Sequence, residues 1–508
     1  MPTSPARTLP AVLAAFAATA LSGQEAPIPP QTFDWFAGPV PATTPWGQAI
    51  DTAATARILS WTTAPEYTNP MVDHIPEHPT VVSPADHFGQ PIGQPGVLHR
   101  TDEIHDYFRA LAASSARVRF SELGETEEGN RLGLVAVAAE AVLDRMDRIR
   151  EVYRRLADPR ITDDGDVADV IAELPVTYLL TAGLHSTETG PPEMVMELAY
   201  RLAASDAPEI RTIRDSVLVF IVPVTEPDGR NRVVDWSRVR YPTPDTTTPL
   251  RGPPYWGKYI FHDNNRDGLQ LTARLTQEVV GLVNDWRIPI GHDLHDSIPY
   301  LYTSTGTGPY NPVVDPIAVA EWTWFANYEV TALTALGMPG VWTHGFYDGW
   351  SPTYLLWAAN VRNGLGRFYE TFGNSIPWTR ERTLGDRSTS VEWYRPNPPR
   401  DTTLWSLRNN TNYMQTGVLT ALHLTAENRT RLLRQFRTKS ENALRKGRTE
   451  APYAYIVPAA QHRKRDAAEM LRLLGRQGIE VHRATEAGAW ARYEDDQGGG
   501  EGPDTGAG

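Results

Sequence analysis

Leu180-Thr181-Ala182-Gly183-Leu184-His185-Ser186-Thr187-Glu188-Thr189-Gly190 joins the end of an apolar run to the start of a helix. The run Leu174 to Thr181 (LPVTYLLT) is short, rich in apolar and β-branched residues and free of helical periodicity, the pattern of a strand buried on both faces. Pro191 and Pro192 fit the first turn of a helix whose apolar positions Met194, Val195, Leu198 and Leu202 recur at helical spacing. A second apolar run, Val217 to Val224 (VLVFIVPV), completes a β-α-β unit, which implies parallel strands with helices on both faces. His185 and Glu188 thus fall just past the carboxyl end of a strand, where open α/β sheets gather their ligands.

A His and a Glu three residues apart in a tight turn can aim one imidazole nitrogen and one carboxylate at a single metal ion. Zinc suits such ligands, and a catalytic zinc takes three protein ligands while keeping a position for water, so a distant His is the missing partner. The run Ile288 to Leu294 (IPIGHDL), ending in His295-Asp296-Ser297, offers two. On a strand, positions 293 and 295 share one face and 292 takes the other, so His292 and His295 do not share one task. Between the two strands lies Phe261-His262-Asp263-Asn264-Asn265-Arg266-Asp267, too polar for core. Further on, Gly366 to Gly373 (GRFYETFG) sets Glu370 in an aromatic, strand-like run. A buried charge there is costly without a task, and general base is the task a metal site offers it.

The order of these parts resembles the carboxypeptidase A-like zinc carboxypeptidases, or funnelins, from about Thr101 to Asn374. The resemblance is carried by His185/Glu188, Asn265/Arg266, the later His295 and Glu370. Glu226-Pro227-Asp228-Gly229 resembles the family's Asn-Pro-Asp-Gly turn, and Leu123 to Val137 (LGETEEGNRLGLVAV) its early Gly-rich hairpin. It implies a three-layer α/β/α sandwich on a mixed, largely parallel sheet. It also implies one Zn2+ per chain on His185, Glu188 and His295, leaving His292 structural, with Glu370 as general base for zinc-activated water. Asp263 would orient a zinc-bound His, and Asn265 and Arg266 would grip the free C-terminal carboxylate of a peptide substrate. An Arg stabilises the oxyanion in that family; Arg238, Arg240 and Arg251 are in range, and Arg240 is favoured. Tyr347, with Tyr354 as rival, would close over the substrate. One departure stands out: the animal digestive members carry Ser-Arg-Glu where this chain has Ser186-Thr187-Glu188, which bears on a subsite away from the scissile bond.

The expected activity is therefore hydrolysis of the C-terminal peptide bond. A zinc amidase or deacylase, including one acting on cell-wall peptides, is the alternative on the same chemistry. A catalytically silent peptide- or glycan-binding protein is the alternative of another class, and intact ligands with Glu370 argue against it.

Composition narrows the setting. Among 508 residues, 48 are basic and 61 acidic, a formal charge of −13, which argues against a nucleic-acid partner. There is no Cys, so neither a disulfide framework nor Cys-ligated zinc is available. Residues 1–23 carry Arg7, the apolar run Leu9 to Leu21 and small residues at Ser22 and Gly23, a signal-peptide pattern that predicts a secreted or periplasmic protein. No later segment reaches about 18 uninterrupted apolar residues, so no membrane span is expected.

Residues 24–100 are Pro-rich, and irregular structure packed on the main domain by Trp and Phe is expected. Residues 101–445 form the predicted catalytic domain. Within it, Trp342 to Trp350 (WTHGFYDGW) reads as a loop over a site, and Leu404 to Arg445 as helix with many exposed charges. Residues 446–484 read as a small β-α-β unit: strand Ala454 to Val457, helix Arg465 to Gly475, strand Ile479 to Val481. About thirty residues cannot bury an independent core, so the unit must dock on something. Residues 485–508 read as a disordered tail.

Overall fold

Residues 176–182, 217–222 and 365–371 are buried without exception, which is why these strands carry continuous apolar runs rather than alternation. In the computed structural model, which describes residues 39–162, 164–244, 262–373 and 375–486, they belong to one eight-stranded sheet. Its strands are β1 (Val118–Glu125), β2 (Arg131–Val137), β3 (Val176–Ala182), β4 (Val217–Val222), β5 (Ile290–Asp296), β6 (Leu301–Thr303), β7 (Val341–Trp342) and β8 (Leu365–Thr371), in the order β1-β2-β4-β3-β5-β8-β6-β7. The centre, β4-β3-β5-β8, is parallel, and β1, β2 and β6 add antiparallel pairings at either side. Arg380–Thr383 and Thr402–Trp405 form a separate antiparallel pair. The predicted signal segment, the first residues of the predicted extension (24–38), Arg251 and residues 487–508 of the predicted tail lie outside the described residues.

Strand alternation sorts side chains to two faces. Arg367 and Tyr369 on β8 face the helices Pro316–Ala335 and Leu407–Glu427: Arg367 pairs with Glu329, and the Tyr369 ring lies against Gly417. Phe220 on β4 meets Trp286 of the Arg274–Trp286 helix on the opposite face, ring centroids 4.7 Å apart. Three layers result. Two register-paired glycines, Gly291 and Gly366, let the short helix Trp357–Asn360 and its approach lie directly on β5 and β8. A Cβ on Gly366 would stand 1.9 Å from the Leu356 carbonyl oxygen, a distance no side chain tolerates.

The predicted extension is more regular than its composition suggests. It contains the helix Thr52–Trp61, N-capped by Asp51, and the short helix Pro84–Phe88 with a Ser83/Asp86 capping box. Ile58, Tyr67, Val72 and Ile75 join the same core as the sheet.

Two expectations need correction. Leu404–Arg445 is not one exposed helix: Leu407–Glu427 is buried over nearly its whole length, and a second, more exposed helix, Arg429–Thr449, follows a break at Asn428. Its polar residues are satisfied internally, as where Asn412 donates to the Tyr67 carbonyl and Arg408 to Glu197, so burial leaves no apolar signature. In the C-terminal unit the helix forms, at Lys464–Arg476, but residues 454–457 and 479–481 are not strands. Among the described residues no strand pairs with them, and Tyr455 is 87% exposed. The unit is instead tethered at its end: Gln477 donates to the Gly268 and Leu269 carbonyls and accepts from Arg362, and Arg160 pairs with Glu480.

Candidate active site

Gly183, at φ 65°, turns the chain out of β3. The Glu188 N–H then donates to the His185 carbonyl at 2.9 Å, a tight turn that sets both side chains on one side. The Glu188 carboxylate bridges two rings, Oε1 lying 2.8 Å from His185 Nδ1 and Oε2 2.9 Å from Nδ1 of His295, near the end of β5. The Asp296 N–H fixes Oε2 at 3.1 Å. Ligand atoms of the three residues all lie within 4.8 Å of one another.

Each ring's second nitrogen faces a further carboxylate. His185 Nε2 is 2.9 Å from Asp263 Oδ1, and His295 Nε2 is 2.8 Å from Asp293 Oδ2. That leaves Nδ1 of each ring for the shared centre. Burial opposes charge on all three groups, yet their mutual attraction wins. Against burial, Glu188 and then Asp263 carry His185 up to about 9, and Asp293 and then Glu188 hold His295 well above its ordinary value. Burial would raise Glu188, but His295 and then His185 hold it below its usual range.

Glu370 on β8 is register partner to His295. Burial and then the Glu188 charge push its carboxyl up to about 8, against the opposing pull of His295 and Ser297. Its Oε2 is buried without a hydrogen-bond partner among the described residues. Such an atom is expensive unless a water, ion or substrate completes it.

Asn265 and Arg266 sit in a short turn, Asn264–Arg266, capped by Asp263. Asn265 accepts from the Leu355 N–H at 2.9 Å and places Nδ2 3.5 Å from His295 Nε2. Arg266 lies over the Tyr354 ring, 4.2 Å from its centroid, and 3.6 Å from Asp263, with its side chain 45% exposed. Tyr347 packs on Phe368, centroids 4.9 Å apart, and its buried hydroxyl is in reach of Ser304; of the two tyrosines it is Tyr354 that touches Arg266. Arg240 is not brought to the cluster. It is the exposed last residue of the Pro227–Arg240 helix, over the Tyr241 ring. The site-side end of that helix is marked by Glu226, bonded to Asn264, and 14 residues at helical rise put Arg240 about 20 Å away. Arg238 is committed to Glu103 and the Leu98 carbonyl.

His292 points to the other face of β5, as alternation requires. Its Nδ1 is 2.7 Å from the Tyr178 hydroxyl, and burial followed by Arg367 holds it well below its ordinary pKa, a neutral ring within the core. Sequence reasoning did not single out Asp293, Ser297 or Phe368. Asp293 and Phe368 were legible in principle, standing two residues before His295 and Glu370 on the same strand faces.

The donor set fits zinc: two imidazoles and one carboxylate, each imidazole backed by an acid, with an unpartnered carboxylate oxygen beside them. Residues 104–316 match the family described as zinc carboxypeptidase, a span holding all three ligands. Over that span the chain is similar to the zinc carboxypeptidases. Glu370 lies beyond the matched span. No curated protein sequence matches the chain. Among solved structures, the domain is similar to a metallo-carboxypeptidase from Burkholderia cenocepacia (15% identity over 65% of this chain and 70% of that one, TM-score 0.42). It is similar to one from Pseudomonas aeruginosa (14%, 65% and 70%, TM-score 0.42) and to the carboxypeptidase A of Helicoverpa armigera (14%, 66% and 74%, TM-score 0.39).

Proposed function

We propose that this chain is an exported metallocarboxypeptidase that removes the last residue of peptides bearing a free C-terminal carboxylate, with one zinc per chain held by His185, Glu188 and His295. The observation that carries this reading is Glu370, whose buried Oε2 has no hydrogen-bond partner among the described residues and whose strand position is opposite His295. When bound, zinc supplies a Lewis acid that makes water a nucleophile near neutral pH and polarises a carbonyl.

The chain's own groups do the rest. Glu370 takes the attacking water's proton on Oε2 and passes it to the leaving amine; the burial that raises its pKa makes it a stronger base for the first transfer and a competent acid for the second. Arg266 is half exposed on a flat aromatic support, which leaves its planar fork accessible to a substrate carboxylate. Asn265, fixed by Leu355, adds an amide between that anchor and His295. Tyr347 and Phe368 form an aromatic wall beside the triad, Phe368 lying edge-on to the His295 ring at 6.1 Å. Arg7 and the run Leu9 to Leu21 support export.

Incubation with a mixed peptide library, read by mass, tests the proposal: ladders that shorten from the C-terminus by one residue are expected. Internal cleavage, or release of acyl groups without loss of C-terminal residues, would replace it with an endopeptidase or amidase reading.

A further inference from the structure

We infer that Asp293 is a positioning residue for the metal centre, fixing which nitrogen of His295 carries a proton and so which one faces Glu188. The inference rests on the zinc reading of the triad and goes beyond it to a group in that site with no assigned role. Asp293 and His295 share one face of β5, and the carboxylate commits one oxygen to each of two partners. Oδ2 lies 2.8 Å from His295 Nε2, and Oδ1 accepts the Thr181 hydroxyl at 2.7 Å. Thr181 is the register partner of Asp293 on β3. The carboxylate is therefore held between two central strands and has no freedom to swing away. Thr181, Asp293 and His295 are all buried, Asp293 being 2% exposed.

The geometry leaves His295 no substitute. Among the described residues, the other polar atom near Nε2 is Asn265 Nδ2, at 3.5 Å, and an amide nitrogen is a donor that cannot accept the ring proton. Without Asp293, His295 would lose the acceptor that keeps the proton on Nε2. The tautomer with the proton on Nδ1 would then compete, and that tautomer has no lone pair on the nitrogen that faces Glu188.

The partner of His185 is a weaker device of the same kind. The Asp263 side chain is 38% exposed, and its Oδ1 is shared between His185 and the Asn265 N–H. Exposure lets water compete for the Asp263–His185 contact, whereas both partners of the Asp293–His295 contact are 2% exposed, so the Asp293 bond is electrostatically the stronger.

The test is zinc affinity by chelator competition, together with the ring N–H resonances of the cobalt-substituted protein, where nearby paramagnetism separates those of His185 and His295. Asp293→Asn preserves shape and removes charge. It should weaken zinc binding by about 10- to 100-fold, the usual effect of removing a ligand's outer partner, and should move the His295 line alone. Asp263→Asn should weaken binding less and move the other line. Thr181→Val, which keeps the carboxylate but frees Oδ1, should move the His295 line even if Asp293→Asn fails to fold. Wild-type affinity in Asp293→Asn, or a His295 line unmoved in Thr181→Val and Asp293→Asn, would overturn the inference and leave the zinc reading standing. A wild-type protein that takes up no zinc would overturn both.

Discussion

His295 and Glu370 are register partners on the adjacent parallel strands β5 and β8. A metal ligand and a carboxylate of raised pKa thus share one rung of the central sheet, and backbone hydrogen bonding rather than a loop sets their separation. The paired glycines Gly291 and Gly366 lie on the same two strands four residues earlier.

Glu370→Gln separates binding from chemistry. The amide keeps the shape but accepts no proton, so zinc content should persist while kcat falls roughly a hundredfold to ten-thousandfold, the range for lost general-base assistance. Near-normal turnover would remove Glu370 from the mechanism.

Metal content distinguishes the two histidines of β5. Purified protein should carry about one zinc per chain, and His185→Ala or His295→Ala should lose most of it. His292→Ala should retain it, since that ring is bonded to Tyr178 on the far face. Retention in His295→Ala with loss in His292→Ala would reverse the assignment.

Stability of the metal-free protein should fall as pH rises from about 6.5 to 9. Burial raises Glu226 to about 8, Asp296 to about 7 and Glu370 to about 8 from ordinary values of 4.5, 3.8 and 4.5, and His185 is raised to about 9 from 6.5. In each case the folded chain holds a proton that the unfolded chain has released. The stability this gives is complete below the unfolded pKa and is lost as pH climbs through the folded one. Glu226→Gln mimics the protonated form, so its melting midpoint should gain on the wild type as pH increases. A wild-type midpoint that is flat or rising across this window would contradict these assignments.

Much of this was legible in the sequence because the central strands are buried on both faces and announce themselves as apolar runs. The metal ligands follow such runs at strand ends. The choice of His295 over His292 followed the same logic, since alternation separates them and the resemblance selects one. What was illegible has physical causes too. The Leu407–Glu427 helix is core built from Asn, Gln, Thr and Arg, whose burial is supported by hydrogen bonds that composition does not display. Residues 454–457 and 479–481 have strand-like composition, but a strand needs a partner edge and none pairs with them among the described residues. Arg240 was placed by its distance along the chain, whereas the intervening helix carries it away from the site.

In the proposed function Arg266 anchors a free C-terminal carboxylate, and a comparison of one peptide with its C-terminally amidated twin tests that anchor. Amidation removes the charge that a charge-assisted pair requires, a loss of roughly 2 to 4 kcal/mol. The free peptide should be trimmed one residue at a time and the amidated twin cut at least about thirtyfold more slowly, with Arg266→Ala largely erasing the difference. Equal cleavage of the two peptides by the unmodified enzyme would contradict the carboxypeptidase account.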